Sequence, residues 1–267
     1  MIGVFDSGVG GLTVLKSLLK HSPQYDYIYL GDNARSPYGN KTKRQVYDYT
    51  LQAVDFLFKK GCRLVIVACN TASALALRRL QQEWLTKTYP DRRVLGVVRP
   101  MAEAMAKMKL DKVGVIGTIG TIKSGIYREE LRALNPKVKV IGKSAPLLVP
   151  LIESGWKHAP ETIEALKRYL SPLKKKKVRA LVLGCTHYPY LKEEICQEMG
   201  KGCKVYDSGE VVAKSLKNYL KRHPELRVTT SERPMVEFFT TGDVDKFRVL
   251  GEGFLGVKMG RIDKVEF

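Results

Sequence analysis

Leu64-Val65-Ile66-Val67-Ala68-Cys69-Asn70-Thr71-Ala72-Ser73 places five apolar residues, a cysteine and a polar helix opening in a row. An apolar run without alternation, ended after five residues, fits a strand covered on both faces, as in a parallel sheet. The pattern returns in a strand predicted over 178–183, followed by Gly184-Cys185-Thr186-His187-Tyr188-Pro189. A thiol held between a strand end and a helix start lies beside free backbone N–H groups and the positive end of the helix dipole, a setting that favours thiolate. Two cysteines in matching contexts predict a pair that works across a cleft.

Outward from the first stretch, strands and helices alternate. Ile2 to Phe5 reads as a strand, Asp6-Ser7-Gly8-Val9-Gly10-Gly11 as a turn, and Leu12, Leu15 and Leu18 recur at helical spacing until His21-Ser22-Pro23. Tyr27 to Leu30 is a second strand, and Thr42-x-x-Gln45 has the form of a capping box opening a helix that Gly61 closes. A helix rich in Ala and Leu is expected from Cys69 through Trp84, then a strand over Val94 to Val98. The pattern restarts at Val113, with a polar turn at Gly117 to Thr121, a helix around Tyr127, a strand over 138–141, a helix from Pro160 to Leu170 and the strand before Cys185. The run Lys174 to Lys177 reads as a solvated loop.

Matching positions keep a steady offset: Gly3 with Gly114, Gly31 with Gly142 and Val94 with Val205 each differ by 111, and Cys69 and Cys185 by 116. A repeat this long implies two similar domains rather than a solenoid. The predicted fold class is α/β, with two doubly wound parallel-sheet domains related by internal duplication and a site in the cleft between them. The first domain is expected to span 1–98 plus 208–267 and to carry Asp6 and Cys69. The second, 99–207, carries Glu153, Cys185 and His187.

The 44% apolar and 27% charged composition is that of a globular protein, and no apolar run reaches the length of a membrane span. A strand beginning at Ile2 leaves no room for a signal peptide, so a cytoplasmic location is expected. Five cysteines without a C-x-x-C motif point to reduced thiols, and Cys62, Cys196 and Cys203 read as small buried packing residues. The formal charge of +19 suits nucleic acid, a membrane surface or an anionic substrate. The basic residues are scattered and no nucleic-acid motif accompanies them, so a small acidic substrate is favoured and no nucleic-acid partner is expected.

Two thiols on opposite faces of one carbon suit a specific reaction, in which one removes a proton and the other returns one on the far face. Asp6 and His187 stand where they would tune or relay those protons, and Asn70, Thr71 and Thr186 offer donors for a substrate carboxylate. Blander roles fit the same residues. Asp6 would serve as a turn former and His187 as a helix-start residue. Cys185-x-His187 would suit a metal, although no second close-spaced ligand pair appears, so no metal is expected. The turn at 8–11 is not G-x-G-x-x-G, which argues against a dinucleotide.

Several motifs together carry a family resemblance: Phe5-Asp6-Ser7-Gly8-Val9-Gly10-Gly11-Leu12, Tyr29-Leu30-Gly31-Asp32, Pro37-Tyr38-Gly39, Ala68-Cys69-Asn70-Thr71-Ala72-Ser73, Val149-Pro150-Leu151-Ile152-Glu153 and Gly184-Cys185-Thr186-His187-Tyr188-Pro189. Over its whole length the chain resembles the glutamate racemases of the aspartate/glutamate racemase family. The resemblance implies interconversion of L- and D-glutamate without a cofactor, supplying D-glutamate for peptidoglycan. It implies that Cys69, with Asp6, acts on D-glutamate, and that Cys185, with His187 and Glu153, acts on L-glutamate. It further implies that Asp6, Ser7, Tyr38, Gly39, Asn70, Thr71, Thr186 and His187 contact the substrate, and that the chain forms a homodimer. Asn33 and Ser36 depart from the family pattern, in which a Thr and an apolar residue are usual. A racemase of the same fold acting on aspartate or another amino acid is the nearest alternative, and a basic nucleic-acid-binding module or a thiol redox protein are alternatives of other classes.

Overall fold

A computed structural model describes all 267 residues. Ten strands form two parallel sheets: β1 (Ile2–Asp6), β2 (Tyr27–Gly31), β3 (Leu64–Val67), β4 (Arg93–Gly96), β5 (Lys112–Gly117), β6 (Lys139–Ser144), β7 (Ala180–Gly184), β8 (Lys204–Tyr206), β9 (Val236–Thr240) and β10 (Ile262–Lys264). One sheet runs β10-β9-β2-β1-β3-β4 and the other β6-β5-β7-β8. The order β2-β1-β3-β4 recurs as β6-β5-β7-β8, so the duplication predicted from residue offsets is present in the topology. Strands β1, β2, β3 and β7 are buried at every residue, which is why their sequences are apolar without alternation.

Strand register refines the equivalences. Gly3 pairs with Val65 and Gly114 with Leu181, preserving the offsets of 111 and 116. Gly31, however, pairs with Asp6, whereas the partner of Gly117 is Ser144. The structural counterpart of Gly31 is therefore Ser144, not Gly142, because the second copy carries two extra residues between those strands. The final strands, β9 and β10, add to the β2 edge of the larger sheet.

Helices cover the sheets where the apolar spacing places them. Leu12–His21 buries Leu12, Val14, Leu15 and Leu18 and packs along the helix Ser208–Arg222. Each buried Leu there contributes about 1.5–3 kcal/mol through removal from water. Thr42 and Gln45 form the full capping box at the start of Lys43–Lys59, worth about 1 kcal/mol.

Several boundaries differ from expectation, among them the strand expected over 138–141, which runs from Lys139 to Ser144, and the turn after Gly117, where a helix already starts at Ile119. Strand β4 ends at Gly96, and Val98 already opens the helix Val98–Ala106. The helical stretch after Cys69 breaks after Leu75 and continues as Leu77–Arg79 and the wider turn Leu80–Leu85. The helix from Pro160 extends to Lys175, so Lys174 and Lys175 form its last turn instead of a loop. Their charges lie at the negative end of the helix dipole, and Lys174 Nζ reaches the Glu198 carbonyl at 2.7 Å. No helix is long and apolar enough to cross a membrane.

Candidate active site

Strands β1, β3 and β7 deliver their carboxyl ends to the seam between the sheets. Asp6 ends β1 and is fully buried. Its Oδ2 accepts from the Gly8 N–H at 3.1 Å, and its Oδ1 accepts from Thr186 Oγ1 at 3.2 Å. Asp6 is thus held from both sheets, not from the Cys69 side alone as its place in the sequence suggests. Cys69 caps the helix Asn70–Leu75, whose Ala72 N–H donates to Sγ at 3.4 Å, and Ser7 Oγ lies 3.4 Å from the same sulfur.

On the other side, Cys185 follows β7, and its Sγ lies 4.0 Å from His187 Nδ1. The far nitrogen of the imidazole, Nε2, sits 2.8 Å from Glu153 Oε1, at the end of the helix Leu148–Glu153. The Phe254 ring packs edge-on against His187 with centroids 5.5 Å apart. Gly10 passes so close to this group that a Cβ there would lie 2.4 Å from His187 Nδ1 and 2.5 Å from Thr186 Oγ1.

Hydroxyls and amides stitch the seam. Asn70 Oδ1 accepts from Tyr127 Oη at 2.6 Å, and Thr71 Oγ1 lies 2.9 Å from Thr118 Oγ1 and 3.2 Å from Thr121 Oγ1. Asn70 Nδ2 is buried without a protein acceptor. Gly39 packs on Thr118, where a Cβ would come within 2.7 Å of the threonine Cβ. Tyr38 is buried and donates its hydroxyl to Asp32, a buried carboxylate that also accepts from Thr241 Oγ1 and Arg35 Nε at 2.7 Å each. Asn33 accepts from Thr240 Oγ1 at 3.2 Å and ties its loop to β9.

Every candidate catalytic or substrate-contact residue except Glu153 is buried here, and the structure brings Asp6, Ser7, Cys69, Asn70, Thr71, Cys185, Thr186 and His187 to one seam. Glu153 joins them through His187, and Tyr38-Gly39 through Thr118. Tyr127, Thr121 and Asp32 also bear on the site, and in sequence Tyr127 reads as an ordinary helix residue. The remaining cysteines stand apart. Cys62 and Cys203 are buried, and Cys196, expected to be a packing residue, is exposed on the helix Lys192–Met199.

Burial controls the electrostatics. Loss of water pushes Asp6 up to about 6, against the opposing charge of His187 and hydrogen bonds from Gly11, Gly8 and Thr186. Burial likewise pushes the Cys69 thiol up to about 12, with the Asp6 charge adding to it and Ser7 and the Ala72 N–H opposing it. The helix start alone favoured thiolate at Cys69; in the folded protein desolvation outweighs that short helix, and Cys69 is a thiol. At His187 burial opposes the charged form, yet hydrogen bonds to Cys185 and Glu153 prevail and raise it to about 10. The site therefore has a proton-holding side at Cys69 and an imidazolium beside the other sulfur.

A model of the Asp/Glu/hydantoin racemase family matches residues 3–216, four-fifths of the chain. The chain belongs to this family. Among its relatives, the glutamate racemase of Geobacter metallireducens is 44% identical over 99% of this chain and 96% of its own length. The solved glutamate racemase isoform of Bacillus anthracis superposes with a TM-score of 0.93 at 36% identity, covering 100% of this chain and 97% of that one. That of Francisella tularensis, solved in complex with D-glutamate, gives a TM-score of 0.90 at 35% identity, covering 99% and 97%. An aspartate racemase from Picrophilus torridus shares the fold alone, at 19% identity and a TM-score of 0.55.

Proposed function

We propose that the chain is a glutamate racemase that interconverts L- and D-glutamate by proton transfer at Cα between two cysteines, without a cofactor. The observation that carries this reading is the placement of a cysteine on each side of the seam, Cys69 against Ser7 and the Ala72 N–H and Cys185 at the head of the His187–Glu153 chain. The likeness to glutamate racemases along nearly the whole chain supports the substrate, and the distance of the aspartate racemase supports it over aspartate. The product would be the D-glutamate of peptidoglycan, formed in the cytoplasm.

In the L-to-D direction, Cys185 as thiolate takes the α-proton. His187, charged and held by Glu153, is the counter-charge that stabilises a thiolate. Cys69 as thiol then gives its proton to the opposite face of the carbanion, which inverts the centre. The reverse reaction exchanges the roles. Asp6, poised near neutrality by burial, holds or releases charge near Cys69 without leaving the seam. The orphan Nδ2 of Asn70 donates to a substrate carboxylate, because a buried donor left without an acceptor costs about 1–3 kcal/mol. Ser7, Thr71, Thr186 and the Tyr38-Gly39 loop line the same seam and complete the substrate contacts.

The burial of the thiols requires the walls to part for substrate to enter. The segments 1–98 plus 208–267 and 99–207 are the bodies proposed to move, with the Thr71–Thr118 and Asp6–Thr186 bonds as the contacts broken. The test is turnover of a panel of D- and L-amino acids by purified protein with no cofactor added. Racemisation of glutamate, with aspartate at least a hundredfold slower, is expected. Equal turnover of aspartate would overturn the substrate, and no turnover of either would overturn the activity.

A further inference from the structure

We infer that a lysine-lined cavity over the seam is a capture site for the anionic amino acid before it reaches the cysteines, an inference that rests on glutamate being the substrate. The cavity, about 630 Å³, is walled on one side by Gly39, Lys41 and Lys43 and on the other by Gly120 and Lys123. Gly39 and Gly120 of its wall meet the seam. Gly39 packs on Thr118, and a Cβ on Gly120 would sit 3.1 Å from Thr71 Cγ2 and 3.3 Å from the Gly39 carbonyl oxygen. Thr71 is two residues from Cys69, so when the Thr71–Thr118 contact opens the cavity adjoins the segment that carries this thiol.

Charge distinguishes this cavity from an ordinary surface hollow. No acidic residue lines it, and its three lysines make no ion pair, while nearby Glu129 is already held by Arg78. The buried set contains no lysine or arginine, the half-buried Arg35 is held by Asp32, and His187 is held by Glu153. A substrate with two carboxylates and one ammonium carries a net negative charge. Its attraction therefore has to come from outside the reacting centre, and the unpaired lysines supply it at the entrance. A basic cleft of this kind raises the local concentration of an anion and its encounter rate by about 10- to 1,000-fold, and salt weakens the effect. Part of the otherwise diffuse +19 charge acquires a role here.

The inference is tested with the full-length protein and the variant carrying Lys41→Gln, Lys43→Gln and Lys123→Gln together, assayed on L- and D-glutamate between about 10 and 300 mM sodium chloride. The expected result at low salt is about a tenfold lower kcat/KM for the variant, with kcat unchanged because none of the three touches the reacting atoms. Salt should lower the wild-type kcat/KM and leave that of the variant nearly flat. Unchanged kcat keeps this outcome apart from misfolding, and the single variant Lys123→Gln, on an exposed position, is expected to show a smaller loss in the same direction. An active wild type with the same kcat/KM and salt slope as the triple variant overturns the capture site alone. A wild type that does not racemise glutamate overturns both this inference and the reading beneath it.

Discussion

Thr186 Oγ1 donates to Asp6 Oδ1 across 3.2 Å, joining residues 180 positions apart and the carboxyl ends of strands from different sheets. Thr13 Oγ1 donates to the Thr186 carbonyl at 3.0 Å and reinforces the same junction. Asp6 is thereby placed between the two halves of the site, where it feels His187 from one side and Cys69 from the other. The two thiols are inequivalent because their surroundings are wired differently, even though the chain around them is duplicated.

The buried carboxyl of Asp6 works against stability. Its value rises from 3.8 to about 6, so the fold is favoured by this group below about pH 4 and loses that contribution as pH rises through about 6. Asp6→Asn removes the buried charge while keeping the shape. At pH 8 it is expected to stabilise the protein by about 1–3 kcal/mol, with the gain largely gone at pH 4, while racemisation falls at least a hundredfold. Thermal denaturation of both proteins at the two pH values checks this. A variant less stable than the wild type at pH 8 would show that the hydrogen bonds to Asp6 outweigh its desolvation.

Glu153 is expected to act through His187. The imidazolium is raised from 6.5 to about 10 in the fold, so its stabilising contribution is complete below about pH 6.5 and lost as pH climbs through 10. Glu153→Gln removes one of the two partners that raise it. The His187 titration, followed by NMR of the ring nitrogens, should move to lower pH, and the alkaline limb of kcat/KM for L-glutamate should move with it. A loss of about ten- to a hundredfold at pH 8 is expected. An unmoved titration with lowered activity would mean that Glu153 serves something other than the imidazole.

Gly10 sets how closely the two halves approach. A methyl group 2.4 Å from His187 Nδ1 has to displace the ring or hold the seam apart. Gly10→Ala is expected to cost about 1–3 kcal/mol and to lower kcat/KM sharply. Cys69 and Cys185, now 5% and 6% exposed, should also react faster with a thiol reagent. Protection of both thiols equal to that of the wild type would rule out the wedge.

The fold was legible because parallel strands buried on both faces leave continuous apolar runs, and because two such runs end in Cys69 and Cys185. The seam was legible only in part. Contacts such as Tyr127 to Asn70 and Thr71 to Thr118 join residues 57 and 47 apart, from elements that alternate too regularly to show which ends will meet. Tyr127 reads as a core aromatic because its ring is one, and only the partner of its hydroxyl separates the two roles. The Lys174 to Lys177 run misleads for a related reason. Helix propensity and a favourable dipole carry the helix through Pro172, where composition suggested an end. The state of Cys69 was hidden too, since a helix start is visible in sequence and desolvation by distant residues is not.

The central claim is that two different groups handle the proton on the two faces of Cα. It is tested most directly by following isotope in the first few per cent of L-glutamate conversion in deuterium oxide. If Cys185 removes protium and Cys69 returns deuterium, the D-glutamate formed carries deuterium at Cα from the start, while the remaining L-glutamate stays protiated. Cys69→Ser and Cys185→Ser should each lower racemisation at least a thousandfold, with Cys196→Ser close to wild type. Protium retained in the D-glutamate product, or deuterium entering the L-glutamate pool as fast as it enters the product, would contradict the two-thiol account.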